Sequence, residues 1–104
     1  INENLEILKT AIDSKGNVLD IIELEMSYKR LIPNDDEPSS YINFYIANKG
    51  IVMPCFDDEK ADIRAKDIIQ SAFPDRKIIT INGIDISMGG GNVHCITQQQ
   101  PMSL

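Results

Sequence analysis

The residues with the most chemical potential lie together near the end of the chain, in Ser87-Met88-Gly89-Gly90-Gly91-Asn92-Val93-His94-Cys95-Ile96-Thr97-Gln98-Gln99-Gln100-Pro101. Three consecutive glycines inside a helix or strand carry a large entropic cost. They therefore predict a tight loop whose backbone needs positive φ or approaches something closely. Val93 to Gln98 reads as a short β-like run, and it holds the one histidine and one of the two cysteines. Cys95, delivered by a glycine loop to the start of a strand, is placed as an exposed nucleophile. A thiolate is the side chain best suited to attack a poorly electrophilic carbon. An ordinary thiol, with a pKa of about 8.5, needs help to ionise. Loop amides, a nearby imidazolium or a cationic substrate would each supply that help. The competing reading is a buried, inert cysteine.

His94 adjoins Cys95, but successive side chains of a strand point to opposite faces. It is therefore expected to face away from the thiol, as a structural residue hydrogen-bonded under the loop. A metal site of Cys55, His94 and Cys95 is disfavoured, because adjacent His and Cys rarely chelate one ion from a strand and structural zinc needs about four ligands. A phosphate loop is disfavoured too: Gly89-Gly90-Gly91 lacks the lysine, the Ser/Thr and the G-x-G-x-x-G spacing. Cys55, behind Pro54 at a strand end, reads as a packing thiol.

These residues need elements to hold them. Ile1, Leu5, Leu8 and Ile12 recur at helical spacing and predict an amphipathic helix over Asn2 to Asp13, ended by Ser14-Lys15-Gly16-Asn17 with Gly16 near the C-cap. Val18 to Leu24 is a nearly continuous apolar run, expected as a strand covered on both faces. Tyr28 to Ser40, with two prolines and four acidic or amide residues, predicts a solvated connection. Tyr41 to Ala47, a turn at Asn48-Lys49-Gly50 and Ile51 to Pro54 predict a hairpin. Pro54 should stop the ladder or sit at an edge. Asp57-Asp58-Glu59 suits the start of a helix whose buried face is Ala61, Ala65, Ile68, Ile69 and Ala72, with Phe73-Pro74 as its stop. Lys77 to Ile81 is a further strand, Asn82-Gly83 a turn, and the glycine loop follows. The order from Tyr41 to Ile81 is strand, strand, helix, strand: a mixed α/β pattern, as if cut from a repeating architecture.

At 104 residues the chain is one domain at most, and so short a chain buries a limited fraction of its surface. Its net charge of −6 argues against nucleic acid or an anionic membrane as partner and is compatible with a cationic ligand. Two cysteines make no disulfide framework. No apolar run approaches the ~18 residues of a membrane span, and no signal peptide is visible; a reducing, cytoplasmic setting is the expectation. The start at Ile1, directly entering a helical pattern, suggests a piece of something longer.

Gly89 to Gln99 resembles the C-terminal signature of agmatine deiminases and the related bacterial-type peptidylarginine deiminases, of the pentein superfamily. Leu5-Glu6-Ile7-Leu8, Ile21-Ile22-Glu23-Leu24, Ser40 to Ile46, Phe56-Asp57-Asp58 and Phe73-Pro74-Asp75-Arg76 carry the likeness through the rest of the chain. Glu25 departs from it, since many relatives have proline there. The resemblance implies a five-bladed α/β propeller of ββαβ blades, about two of them represented here. Residues 1–104 would then be the C-terminal segment of one deiminase catalytic domain.

The implied reaction hydrolyses the guanidinium of agmatine to N-carbamoylputrescine and ammonia, in putrescine and polyamine biosynthesis, with no metal or organic cofactor. It implies Cys95 as catalytic nucleophile, with Gly90, Gly91 and Asn92 as substrate-binding positions. Asn43, in a family-like block, faces a central cavity or is a satisfied structural amide. The family's catalytic histidine and its guanidinium-clamping carboxylates come from blades N-terminal to this chain. The isolated segment is accordingly expected to be inert. Its expected partners are a small guanidino substrate, the remaining blades of the same protein and, in a homo-oligomer, further copies. A peptidylarginine or free-arginine deiminase of the same fold, and a non-catalytic interaction module, remain alternatives.

Overall fold

The computed structural model describes residues 2–29 and 39–103. Helix α1 (Asn2–Thr10) is followed by strands β1 (Tyr45–Ile46) and β2 (Gly50–Cys55), helix α2 (Glu59–Ala72), strand β3 (Lys77–Asn82) and a short helix α3 (Ile84–Ser87). The sheet is mixed, in the order β1-β2-β3: β1 runs antiparallel to β2, and β3 runs parallel to it through the α2 crossover. The expected strand–strand–helix–strand unit is therefore present, with β1 reduced to two residues.

One apolar layer holds it. Tyr41, Ile51, Met53, Phe56, Ala61, Ala65, Ile69 and Ile78 form the core between sheet and α2. Alanines at 61 and 65 let the helix axis approach the sheet, and Ile69 fills the far end. Asp58 caps α2 by accepting from the Ala61 amide (3.4 Å). Ser27 Oγ donates to its other oxygen at 2.8 Å. Asp62, one turn on, accepts from Tyr41 Oη (2.6 Å) and the Phe56 amide (3.0 Å). Burial first, then the Asp62 carboxylate, push the Tyr41 hydroxyl above its ordinary pKa. α2 ends as expected at Phe73, whose N–H reaches the Ile69 carbonyl. Phe73 stacks edge-on with Phe44 (6.1 Å).

Several expectations are corrected. α1 stops at Thr10 because Asp13 competes for the backbone beyond it: its carboxylate accepts from the amides of Lys15 and Asn17 and from Asn17 Nδ2. These bonds also hold the Asp13 carboxyl below its usual range. Gly16, at φ +81°, sits in that turn, not at a helix C-cap. Val18 to Leu24 forms no strand; Val18 alone bridges to Ile12. A strand needs a neighbour for its amides, and none lies alongside this run among the described residues. Val18 and Ile22 are exposed as a result. The predicted loop Tyr28 to Ser40 falls largely on residues 30–38, outside the described residues; the flanking Ser27 and Ser39 are bridged. Pro54 lies within the β2–β3 ladder, opposite Ile81. It is tolerated because β1 pairs only as far as Val52, leaving one side of β2 open there.

Truncating the fully buried Ile51 to alanine should cost about 2–5 kcal/mol in denaturant unfolding. The same change at exposed Ile7 should stay within about 0.5 kcal/mol.

Candidate active site

The site is assembled where β2 and β3 end. The Gly83 amide donates to the Cys55 carbonyl (2.9 Å), which extends the ladder by one bond. Gly83 leaves no room for a side chain: a Cβ would lie 2.7 Å from Pro54 Cβ and 2.8 Å from Asn92 Oδ1. Asn82 Oδ1 accepts from the Ile84 amide (2.9 Å) and so opens α3, an element the sequence reading missed although Asn-Gly ahead of Ile-Asp-Ile-Ser is a starting signal. After α3 the chain turns through Gly90 (φ +79°) and Gly91 (φ +120°), the positive φ values expected of this loop.

Val93–Ile96 is a 3₁₀ helix, not the expected strand. The amides of Cys95 and Thr97 bond to the carbonyls of Asn92 (3.0 Å) and His94 (3.1 Å), each three residues back, instead of to a sheet. Asn92 caps it, its Oδ1 accepting from the Val93 amide at 3.0 Å. With three residues per turn, neighbouring side chains diverge by a third of a revolution and need not face opposite ways. His94 is accordingly exposed, makes no side-chain hydrogen bond among the described residues, and lines the same open depression as Cys95. The expectation that it is tucked under the loop is corrected.

Cys95 is exposed. Asn43 Nδ2 donates to its sulfur at 3.2 Å, and the Asn43 carbonyl accepts from the His94 amide at 3.3 Å. This explains why Tyr41 to Ala47 is a strand only at its end: Ile42 to Phe44 leave the ladder to dock on the 3₁₀ helix. The Asn43 bond first, then the Asn92 backbone, lower the Cys95 pKa below its ordinary value. Asn43 Oδ1 is buried and has no partner among the described residues. The depression, about 390 Å³, is lined by Ser40, Ile42, Asn43, His94 and Cys95. Of the sequence-nominated positions, Gly90 and Gly91 are exposed beside the thiol segment, while the Asn92 side chain is buried in the loop. Cys55 is half-buried on β2 and its thiol is pushed up by burial; it does not join His94 and Cys95 in any metal-holding group among the described residues.

A thiol so arranged can attack an electrophilic carbon brought into the depression, with an amide donor supporting its anionic form. Gly91 is indispensable to the arrangement, since a Cβ there would lie 2.9 Å from Cys95 Sγ. Gly91→Ala should cost about 1–3 kcal/mol in denaturant unfolding through its positive φ. It should also slow iodoacetamide labelling of Cys95 by displacing the sulfur.

Comparison with known proteins follows the same line. The model of the Porphyromonas-type peptidyl-arginine deiminase family matches residues 1–101. A "Putative agmatine deiminase" of Legionella pneumophila (strain Paris) is 42% identical over 103 residues, covering 99% of this chain and 30% of that protein. The solved structure of an agmatine deiminase of Enterococcus faecalis is similar with a TM-score of 0.79 and 32% identity, over 96% of this chain and 32% of that one. That of a "Putative Arginine Deiminase" from Porphyromonas gingivalis has a TM-score of 0.87 and 29% identity, over 96% of this chain and 29% of that one. The chain thus spans about 30% of the length of the curated relative it matches. Matched over nearly all its residues, the chain belongs to the Porphyromonas-type peptidyl-arginine deiminase family.

Proposed function

We propose that residues 1–104 are the nucleophile-bearing C-terminal segment of one deiminase catalytic domain, and that the complete enzyme hydrolyses the guanidinium of agmatine. The observation that carries this reading is the exposed Cys95 sulfur held 3.2 Å from Asn43 Nδ2 at an open depression. The Legionella and Enterococcus relatives, named for agmatine, support the substrate.

In the proposed reaction the Cys95 thiolate adds to the planar guanidinium carbon and a C–S bond forms. One nitrogen of the tetrahedral adduct takes a proton from an acid/base group of the remaining polypeptide, its C–N bond breaks and it leaves as ammonia. The amidino-thioether that remains takes up water: a C–O bond forms, the C–S bond breaks and the thiol is restored, giving N-carbamoylputrescine, a precursor of putrescine. Asn43 supports the thiolate through Nδ2. Exposed backbone at Gly90 and Gly91 leaves room beside the reacting carbon; the Asn92 side chain contributes to the loop instead of to substrate. The acid/base histidine and the carboxylates that neutralise the guanidinium belong, in this reading, to the rest of the polypeptide. That remainder would be the ββαβ blades of a propeller completed on the exposed apolar residues of this chain, among them Val18, Ile22 and Ile79. A cytoplasmic setting suits the free, reactive thiol; no helix of the described residues is long and apolar enough to cross a membrane.

The family description and the Porphyromonas relative favour a second reading, an arginine or peptidylarginine deiminase with the same chemistry. Turnover of agmatine against that of a blocked arginine peptide by the full-length protein separates the two. Agmatine is expected to be preferred, and preference for the peptide overturns the assignment. Cys95→Ser should abolish turnover. Ammonia release from agmatine by the 104-residue segment alone, above its Cys95→Ser control, would contradict the missing-partner reading. Asn43→Ala removes the bond that favours the thiolate, so the Cys95 pKa should rise and the alkylation profile should shift to higher pH. At neutral pH labelling should slow about three- to tenfold, because less of the sulfur is then thiolate.

A further inference from the structure

Asn92 stands apart from the residues that line the depression, yet it is among the most buried polar groups of the chain, at 3% exposure. Both donor hydrogens of its amide are used, and its oxygen accepts. Nδ2 donates to the Gly83 carbonyl at 3.0 Å and to Ser87 Oγ at 2.9 Å, and Oδ1 accepts from the Val93 amide at 3.0 Å. Ser87 Oγ in turn donates to the same Gly83 carbonyl at 2.8 Å. The backbone carbonyl of Asn92 accepts from the Cys95 amide at 3.0 Å. A continuous relay therefore runs from the end of β2, through Gly83 and Asn92, to the residue that bears the sulfur.

We propose that Asn92 is a positioning residue: its buried amide, seated on Gly83 and Ser87, clamps the glycine loop so that the Cys95 sulfur is presented to Asn43. The inference rests on the reading of Cys95 as nucleophile and adds what holds it. Two glycines with positive φ make the segment before Cys95 intrinsically loose. A loose loop would leave the sulfur free to move away from a donor with a limited reach. The amide removes that freedom from behind, without touching substrate. Its geometry is specific. Aspartate would present an oxygen, not a donor, to the Gly83 carbonyl. Alanine would leave the Val93 amide without its side-chain acceptor and the Gly83 carbonyl to Ser87 alone, so nothing would tie the loop to that carbonyl. Gly83 is the counterpart, since any Cβ there would collide with the Asn92 amide.

The test is the pH dependence of iodoacetamide alkylation at Cys95 in the protein, read by mass spectrometry with Cys55 as internal reference. It uses Asn92→Ala, Asn92→Asp, Ser87→Ala and Asn43→Ala, each checked by far-UV circular dichroism. Folded Asn92→Ala and Asn92→Asp should raise the midpoint of the Cys95 profile and slow neutral-pH labelling about three- to tenfold. Ser87→Ala, which deletes one contact of the amide, should shift it less, in the same direction, and carries the test if the Asn92 variants do not fold. A residue that served stability alone would lower the unfolding midpoint and leave the profile in place; a wild-type profile in folded Asn92→Ala, or in Ser87→Ala where the former fails to fold, overturns the proposal. A wild-type profile in Asn43→Ala instead overturns the reading of Cys95 as a supported thiolate.

Discussion

The hydrogen bond from Asn43 to the Cys95 sulfur is the constraint on which the functional reading depends. A neutral thiol is a weak acceptor, whereas a thiolate is a strong one, so the value of this contact depends on the charge of the sulfur. A structure that places an amide donor there favours the anion over the neutral form, which is the direction in which the Cys95 pKa moves. Holding the pair costs conformational entropy in two segments far apart in sequence, and most of the fold serves to meet that cost. Asn43 lies two residues ahead of β1, the crossover helix braces that segment through Phe73 and Phe44, and β3 delivers the glycine loop to the same end of the sheet.

The molecule divides into a part that is rigid by burial and a part that is rigid by hydrogen bonding. The core around Ile51, Met53 and Phe56 is apolar, and the charged groups at its edge are paired: Tyr41 with Asp62, Ser27 with Asp58. The segment that carries Cys95 has Val93 as its one buried apolar side chain among the described residues, beside the buried amide of Asn92. Its order comes from caps and turns instead. That is consistent with a reactive sulfur, since a thiol immobilised by hydrocarbon on every side would lose both its access and its ionisation.

Much of this was legible in the residues. Runs of β-forming residues between turns located β2 and β3, and an apolar helical face located α2, because each packs on the core that this chain itself supplies, and Asp58 and Phe73-Pro74 marked the ends of α2 through local chemistry. The glycine loop was legible for the same reason: positive φ is a local demand. What misled was pattern without its partner. Val18 to Leu24 has the composition of a covered strand, but no neighbouring strand accompanies it among the described residues. Val93 to Gln98 has β-forming residues, but Asn92 caps the segment and turns it into a 3₁₀ helix. That error also misplaced His94, whose direction had been taken from a strand. The contact of Asn43 with sulfur could not be read at all, since only the tertiary fold joins the two; the one hint was an amide inside the aromatic block Tyr41 to Tyr45.

Pro54 has an effect beyond its tolerated place in the ladder. The Cys55 carbonyl points to Gly83 on the β3 side, so by the alternation of a strand the imide nitrogen of Pro54 points the other way, where β1 has already run out. With no proton on that nitrogen, the vacant flank cannot be completed by an incoming strand. Pairing on the β1 side of β2 is thereby disfavoured beyond Val52, while no strand of the described residues covers the outer edge of β3.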